Sequence, residues 1–299
     1  MKNYVNLKSS KGIFFLVLSA FLYSLMPVAM RILGRGGLSP FSQVFLRYIV
    51  AFLCAFIYFF IIKKAKVKLR MSDIGFMLGT SIVGYALANL ALTYAVLNTQ
   101  VSNALFLFYT YAIIAPLFGF LLLKERMNKY NLLSLLFIFV ALFLLFQPNG
   151  IASWKIGGLF AILSAFGQSI YLIGRKKLHS YSAGFMMILN TSVGVLILGI
   201  LSLILDNSFY FKGGLQEVSL QTWIVTILFG IDNFLAYFTM TKGFEYFKAT
   251  TGSLILLSGL VFGVVFAFLF FAEIPTLITI IGGILILLSI STVILKGAS

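Results

Sequence analysis

Ten apolar stretches fill this chain, and the last five resemble the first five. Leu18-Ser19-Ala20-Phe21 in the first stretch recurs as Leu163-Ser164-Ala165-Phe166 in the sixth, an offset of 145. The fourth and ninth stretches each run into a glutamate, Glu125 and Glu273, at an offset of 148. Three residues of loop length reconcile the two offsets. A long-period repeat constrains a fold more than any local pattern does. Five spans is an odd number, so the second copy must enter a bilayer from the side opposite to the first. Many secondary transporters use such inverted repeats to open alternately to either face.

Composition agrees with a membrane class. Mean hydropathy is +1.09 and only 10% of residues are charged, against about 25% in soluble domains. Runs of roughly 20 apolar residues suffice to cross a bilayer core of ~30 Å. They predict spans near 13–33, 41–62, 74–97, 101–123, 130–147, 156–174, 183–205, 220–241, 250–272 and 276–295. Continuous rather than alternating apolarity predicts helices and not a barrel. The expected fold is an all-α integral membrane protein, ten transmembrane helices in two inverted five-helix repeats. One membrane domain covers 1–299, with repeats at about 11–147 and 155–296.

The net charge of +15 is a topology signal rather than a mark of nucleic-acid binding. With a cytoplasmic N-terminus, 17 cations fall in inner segments, among them Lys66, Arg70, Lys124, Lys176 and Lys248. Arg31, Arg35, Lys155 and Lys212 fall outside, and Arg47 lies within a span, which accounts for all 22. The positive-inside rule thus puts both termini in the cytoplasm of a multi-pass protein of the cell (plasma or inner) membrane. The first stretch reads as a retained helix rather than a signal peptide, because its repeat mate lies mid-chain.

Several chemistries find no support. There is no phosphate-cradling GxxxxGK[ST], and Gly34-Arg35-Gly36-Gly37 lies between spans. His179 is the one histidine and Cys54 the one cysteine, so neither a metal site nor a Ser-His-acid arrangement has its parts. No cofactor is expected. Gly75-x-x-x-Gly79 and Gly259-x-x-x-Gly263 read as close-packing positions.

Polar groups inside spans are the remaining candidates, since each is costly in a bilayer. Asp232 is the acidic residue nearest the middle of a helix, with Asn233 beside it. It should face an aqueous cavity, pair with a cation or stay protonated, unless it only ties its helix to a neighbouring Ser, Thr or Arg47. Arg47 either snorkels outward or neutralises a carboxylate. Asn89 and Gln168 must find partners in a dry interior. Under the 148 offset Asn89 aligns with Tyr237 and Tyr85 with Asn233, the same pair in swapped order one turn apart. That is the pattern of two helices lining one central site. Tyr23 and Tyr171, which follow the repeated words, complete the expected substrate-binding set. Glu125 and Glu273 read as caps and interface anchors, with Pro275 opening the last helix. Lys242, Glu245 and Lys248 read as a solvated cluster.

At this point the chain resembles the EamA-type branch of the drug/metabolite transporter superfamily. The marks are the LSAF-type first helices, Arg47, Pro116 nine residues before Glu125, and the apolar-Glu endings at Glu125 and Glu273. The second half departs from the pattern, with Val264 where the first half has Pro116 and so no proline to break that helix. The resemblance implies ten helices with cytoplasmic termini and a central cavity lined mainly by helices 1, 3, 4, 6, 8 and 9. It also implies export or exchange of a small organic solute without nucleotide hydrolysis, with amino acids or nucleotide-related metabolites as examples. A proton is a candidate coupling ion. The rival readings are an integral-membrane enzyme acting on lipid-linked substrates and a facilitative channel.

Overall fold

Each apolar run becomes a helix because a bilayer offers the backbone no other hydrogen-bond partner. The computed structural model describes residues 7–63, 68–99, 101–125, 127–145, 155–205, 218–272, 274 and 276–292. The first repeat comprises α1 (Leu7–Arg35), α2 (Pro40–Ile62), α3 (Met71–Asn98), α4 (Val101–Phe108 and Tyr111–Leu123) and α5 (Lys129–Leu145). The second comprises α6 (Lys155–Lys177), α7 (Ala183–Leu205), α8 (Leu220–Gly243), α9 (Ala249–Leu256 and Ser258–Phe271) and α10 (Leu277–Thr292). Among the described residues, eight of these are long and apolar enough to cross a membrane, and α5 and α10 hold shorter apolar helices. Glu273, Pro275, Lys66 and Lys212 lie outside the described residues.

Caps start several helices as the sequence dictates. Ser39 accepts from the Ser42 N–H at 3.2 Å with Pro40 in the first turn, and Ser182 accepts from the Phe185 N–H at 3.3 Å. Both serines satisfy donors that a helix start leaves open. Two stretches widen to π-helix, Ile57–Ile62 at the end of α2 and Thr80–Leu87 inside α3. A π segment inside an α-helix frequently accompanies a functional site.

The breaks recur at the repeat offset. The first segments of α4 and α9, Val101–Phe108 and Ala249–Leu256, are 148 residues apart at both ends. The second segments both end on a left-handed residue, Lys124 at φ 53° and Ala272 at φ 54°. The helix runs unbroken through Val264, in line with the missing proline there. Pro116 sits inside its helix, the breaks fall earlier at Tyr109–Thr110 and at Leu257, and α9 breaks without a proline. The glycine pairs also differ from expectation: nothing approaches Gly75 or Gly79, whereas Gly259 packs on Tyr109 and on the Ala20 carbonyl.

Packing exchanges helices between the halves. Ser19 Oγ of α1 donates to the Ala236 carbonyl of α8, and Ser164 Oγ of α6 donates to the Ala88 carbonyl of α3, each at 2.8 Å. Donors and acceptors are related by the same 145 and 148 offsets. α6 lies antiparallel to α3, with Gly157 against Asn98, Gly167 against Ala88 and Gly174 against Thr80. α5 and α10 are joined by reciprocal bonds between Ser134 and Ser289, both 3.1 Å.

Glu125 is a cap, though not of its own helix. Its carboxylate accepts from the Ala249 N–H at 2.9 Å, the Thr250 N–H at 3.2 Å and the Thr250 hydroxyl at 2.9 Å. The end of α4 is therefore fastened to the positive end of α9. Lys242 and Glu245 form a surface ion pair at 3.2 Å, as the sequence suggests.

Candidate functional site

The polar residues of the spans converge where α1, α2, α3, α6, α7 and α8 meet. Tyr85 Oη donates to Asn233 Oδ1 at 2.6 Å, and Asn89 Nδ2 donates to Tyr237 Oη at 2.7 Å. Each bond joins a residue to its own repeat equivalent 148 positions away. Both therefore lie at the centre of the exchange between halves, where the swapped Asn and Tyr order places them.

Each group's chemistry orients the rest. Arg47 can only donate, and its Nη2 donates to Asn89 Oδ1 at 3.0 Å. That fixes the Asn89 amide, whose nitrogen also donates to the Tyr85 carbonyl at 2.9 Å. Tyr237 donates to Gln168 Oε1 at 3.4 Å, and so accepts in the 3.0 Å bond it shares with Tyr23. A second branch joins Tyr171 to the Thr241 hydroxyl at 3.2 Å and to Asn190 Nδ2 at 3.5 Å, with Ser81 donating to Asn190 Oδ1 at 2.8 Å. Ring contacts tie the branches together: Tyr237 meets Tyr85 at 4.6 Å and Tyr171 at 5.0 Å, edge to face. Gly84 is needed here, because a Cβ would lie 2.8 Å from the Tyr171 backbone nitrogen.

Seven of the nine expected site residues thus share one hydrogen-bonded cluster, and Tyr171 joins it through ring contacts. Tyr85, Tyr171, Tyr237, Asn233 and Arg47 are fully buried. A groove of about 420 Å³ lies to one side, lined by Phe41, Val83, Leu87, Tyr94 and Phe160 among others, and its wall is apolar.

The two charged residues depart from expectation. Arg47 does not snorkel, and although no carboxylate among the described residues lies within ion-pair distance of it, its charge acts on that of Asp232. Its guanidinium stays in the core, stacked over Phe229 at 4.6 Å and near Tyr48 at 5.4 Å. Aromatic faces take the place of a counter-ion, which suits a weakly hydrated guanidinium. Asp232 stands outside the cluster, one turn beyond Phe229 on α8. Both of its carboxylate oxygens are buried without a hydrogen-bond partner among the described residues, and the charge that acts on it is that of Arg47 on α2.

Sequence reasoning missed Asn190, Ser81, Tyr48 and Thr241. Asn190 had a signal: α2 and α7 superpose with an offset of 143, set by the capping residues Ser39 and Ser182, and that offset carries Arg47 onto Asn190. Both reach into the cluster from equivalent helices.

The profile of the EamA-like transporter family matches residues 10–147 and again 155–295. The chain belongs to the EamA-like transporter family. The two matches are consistent with a two-repeat layout, and the family points to a transporter of small molecules in a lipid bilayer rather than to an enzyme. An uncharacterized transporter of Clostridium kluyveri is 25% identical over 93% of this chain and 91% of its own. The pseudopaline exporter CntI of Pseudomonas aeruginosa is 23% identical over 93% of this chain and 94% of its own. A solved crystal structure superposes with a TM-score of 0.76 over 94% of this chain and 97% of that one, at 14% identity, a likeness of fold.

Proposed function

We propose that this transporter exports or exchanges a small organic metabolite, such as an amino acid or a nucleotide-related solute, by alternating access through the central cluster. The observation that carries the reading is the pair of bonds between equivalent residues, Tyr85 with Asn233 and Asn89 with Tyr237. Each half supplies the same residues to one centre, so rocking one half against the other can expose it to either face in turn. The halves of this reading are the five-helix repeats at about 11–147 and 155–296, with both termini in the cytoplasm of the cell membrane. Export as the direction draws on the name of the Pseudomonas relative. A closed, packed centre favours alternating access over a facilitative channel. Asp232 serves as counter-charge to an amine-bearing solute or as the carrier of a coupling proton, while Arg47, Asn89, Gln168, Tyr23 and Tyr171 line the solute.

The purified full chain in proteoliposomes should move at least one of the amino acids, nucleosides or S-adenosylmethionine without ATP, with and without a pH gradient. A flux that requires ATP hydrolysis by this chain alone would remove the secondary-transport reading.

A further inference from the structure

Two bonds at opposite ends of the bundle share one design. At the end of α1, Arg31 Nη2 donates to the Thr99 carbonyl at 2.7 Å, where α3 stops. At the end of α6, Lys176 Nζ donates to the Phe247 carbonyl at 2.9 Å, just past the end of α8. Arg31 and Lys176 are related by the 145 offset that relates α1 to α6. Thr99 and Phe247 are related by the 148 offset that relates α3 to α8. The two contacts are the same contact made once by each half, and the chemistry survives although the cation and the carbonyl's residue both differ.

Their placement fits closures. α6 begins beside Thr99, because Gly157 packs on Asn98 and Thr99, and its other end passes Thr80 at Gly174. The seventeen residues between those glycines span roughly 25 Å of helix. The central cluster lies between the bonds, so each one fastens a different end. Each cation sits where a carbonyl at a helix end concentrates negative potential, and both are half-buried. Glu125 strengthens one end by pinning α4 to the start of α9, two residues beyond Phe247.

We infer that Arg31 and Lys176 are the two gate latches of this transporter, each within its own half, with the Thr99 and Phe247 carbonyls as their keepers, and that each half-cycle parts α1 from the end of α3, or α6 from the end of α8, while the other latch holds. The inference rests on the alternating-access reading. The structure holds both latches closed. Being charge-assisted, each bond is strong enough to set the balance between open and closed, yet a single lost bond leaves the rest of the interface intact.

The test uses two reporters that need no solute. Thr93 and Thr241 are fully buried, 148 residues apart; Thr93 lies one turn beyond Asn89 toward the Arg31 latch, and Thr241, the hydroxyl partner of Tyr171, lies one turn beyond Tyr237 toward the Lys176 latch. On a Cys54→Ala background, Thr93→Cys and Thr241→Cys are introduced singly and probed with a membrane-impermeant maleimide in right-side-out and inside-out vesicles. Arg31→Met should raise labelling of the Thr93→Cys variant about tenfold from the face bearing Thr99, and leave the Thr241→Cys variant protected. Lys176→Met should do the reverse from the other face. Arg31→Lys and Lys176→Arg keep a donor and should label as the parent does. Unchanged labelling, or a rise at both reporters from either substitution, would overturn the inference, as would a rise with the conservative variants. If labelling follows the latches while no solute crosses proteoliposomes, the gates stand and the transport reading fails.

Discussion

Asp232 keeps a carboxylate inside the protein with no hydrogen bond to either oxygen among the described residues. Burying a polar group unpartnered costs of order 1–3 kcal/mol in proteins, and more for a charge. Stability alone would have discarded it. Asp232→Asn should therefore leave the melting temperature equal or raised, because a charge disappears while the shape stays. Flux in proteoliposomes should at the same time lose its response to an imposed pH gradient. An unchanged response at equal protein density would reduce Asp232 to a packing residue. Asn89 shows the opposite economy, with every polar atom of its side chain engaged. Its partners were legible from the sequence because α3 and α8 keep a single offset through the site. Asn190 was legible only through the Ser39 and Ser182 caps, because α2 and α7 share no repeated word and differ in register from the other pairs. The stacking of Arg47 on Phe229 was hidden for another reason: a sequence shows that a cation is in a span, but not which ring it will meet.

At the scale of elements, the informative feature is what interrupts a helix. The ten spans follow from apolar length, so their positions are readable to within a few residues. The π segment Thr80–Leu87 and the break at Leu257 are set by packing across helices rather than by a local residue, and no proline or glycine announces the break. Glu125 is an intermediate case, visible as a lone acid but unreadable as the cap of a helix 124 residues away. A side-chain cap contributes about 0.5–2 kcal/mol, and here one carboxylate holds two N–H groups and a hydroxyl. Glu125→Ala should lower thermal stability by about 1–2 kcal/mol and loosen the start of α9. Glu125→Gln retains an acceptor and should lose less. Hydrogen exchange of the Ala249 and Thr250 amides gives the check: protection that persists in the alanine variant would show that the cap contributes nothing.

At the scale of the whole molecule, charge and repeat carry one argument by independent routes. Five spans per repeat force the copies into opposite orientations, whatever the loops contain. The loops then place 17 cations on one side and 4 on the other, although nothing in the repeat requires that excess. The bonds related by 145 and 148 residues join the halves at the centre and recur within each half at opposite ends, as expected of two copies in opposite sense. Orientation in the membrane is the one property that these contacts leave to the charges, since the same fold could be inserted either way up. The positive-inside rule places Lys66 in the cytoplasm and Lys212 outside. On a Cys54→Ala background, Lys66→Cys and Lys212→Cys should react with an impermeant maleimide from opposite faces: the second in intact cells, the first only after permeabilisation. Both reacting from one face would contradict the odd number of spans between them and with it the inverted repeat. A full exchange of faces would keep the repeat and overturn the charge rule for this chain, turning the Arg31 latch toward the cytoplasm and the Lys176 latch outward.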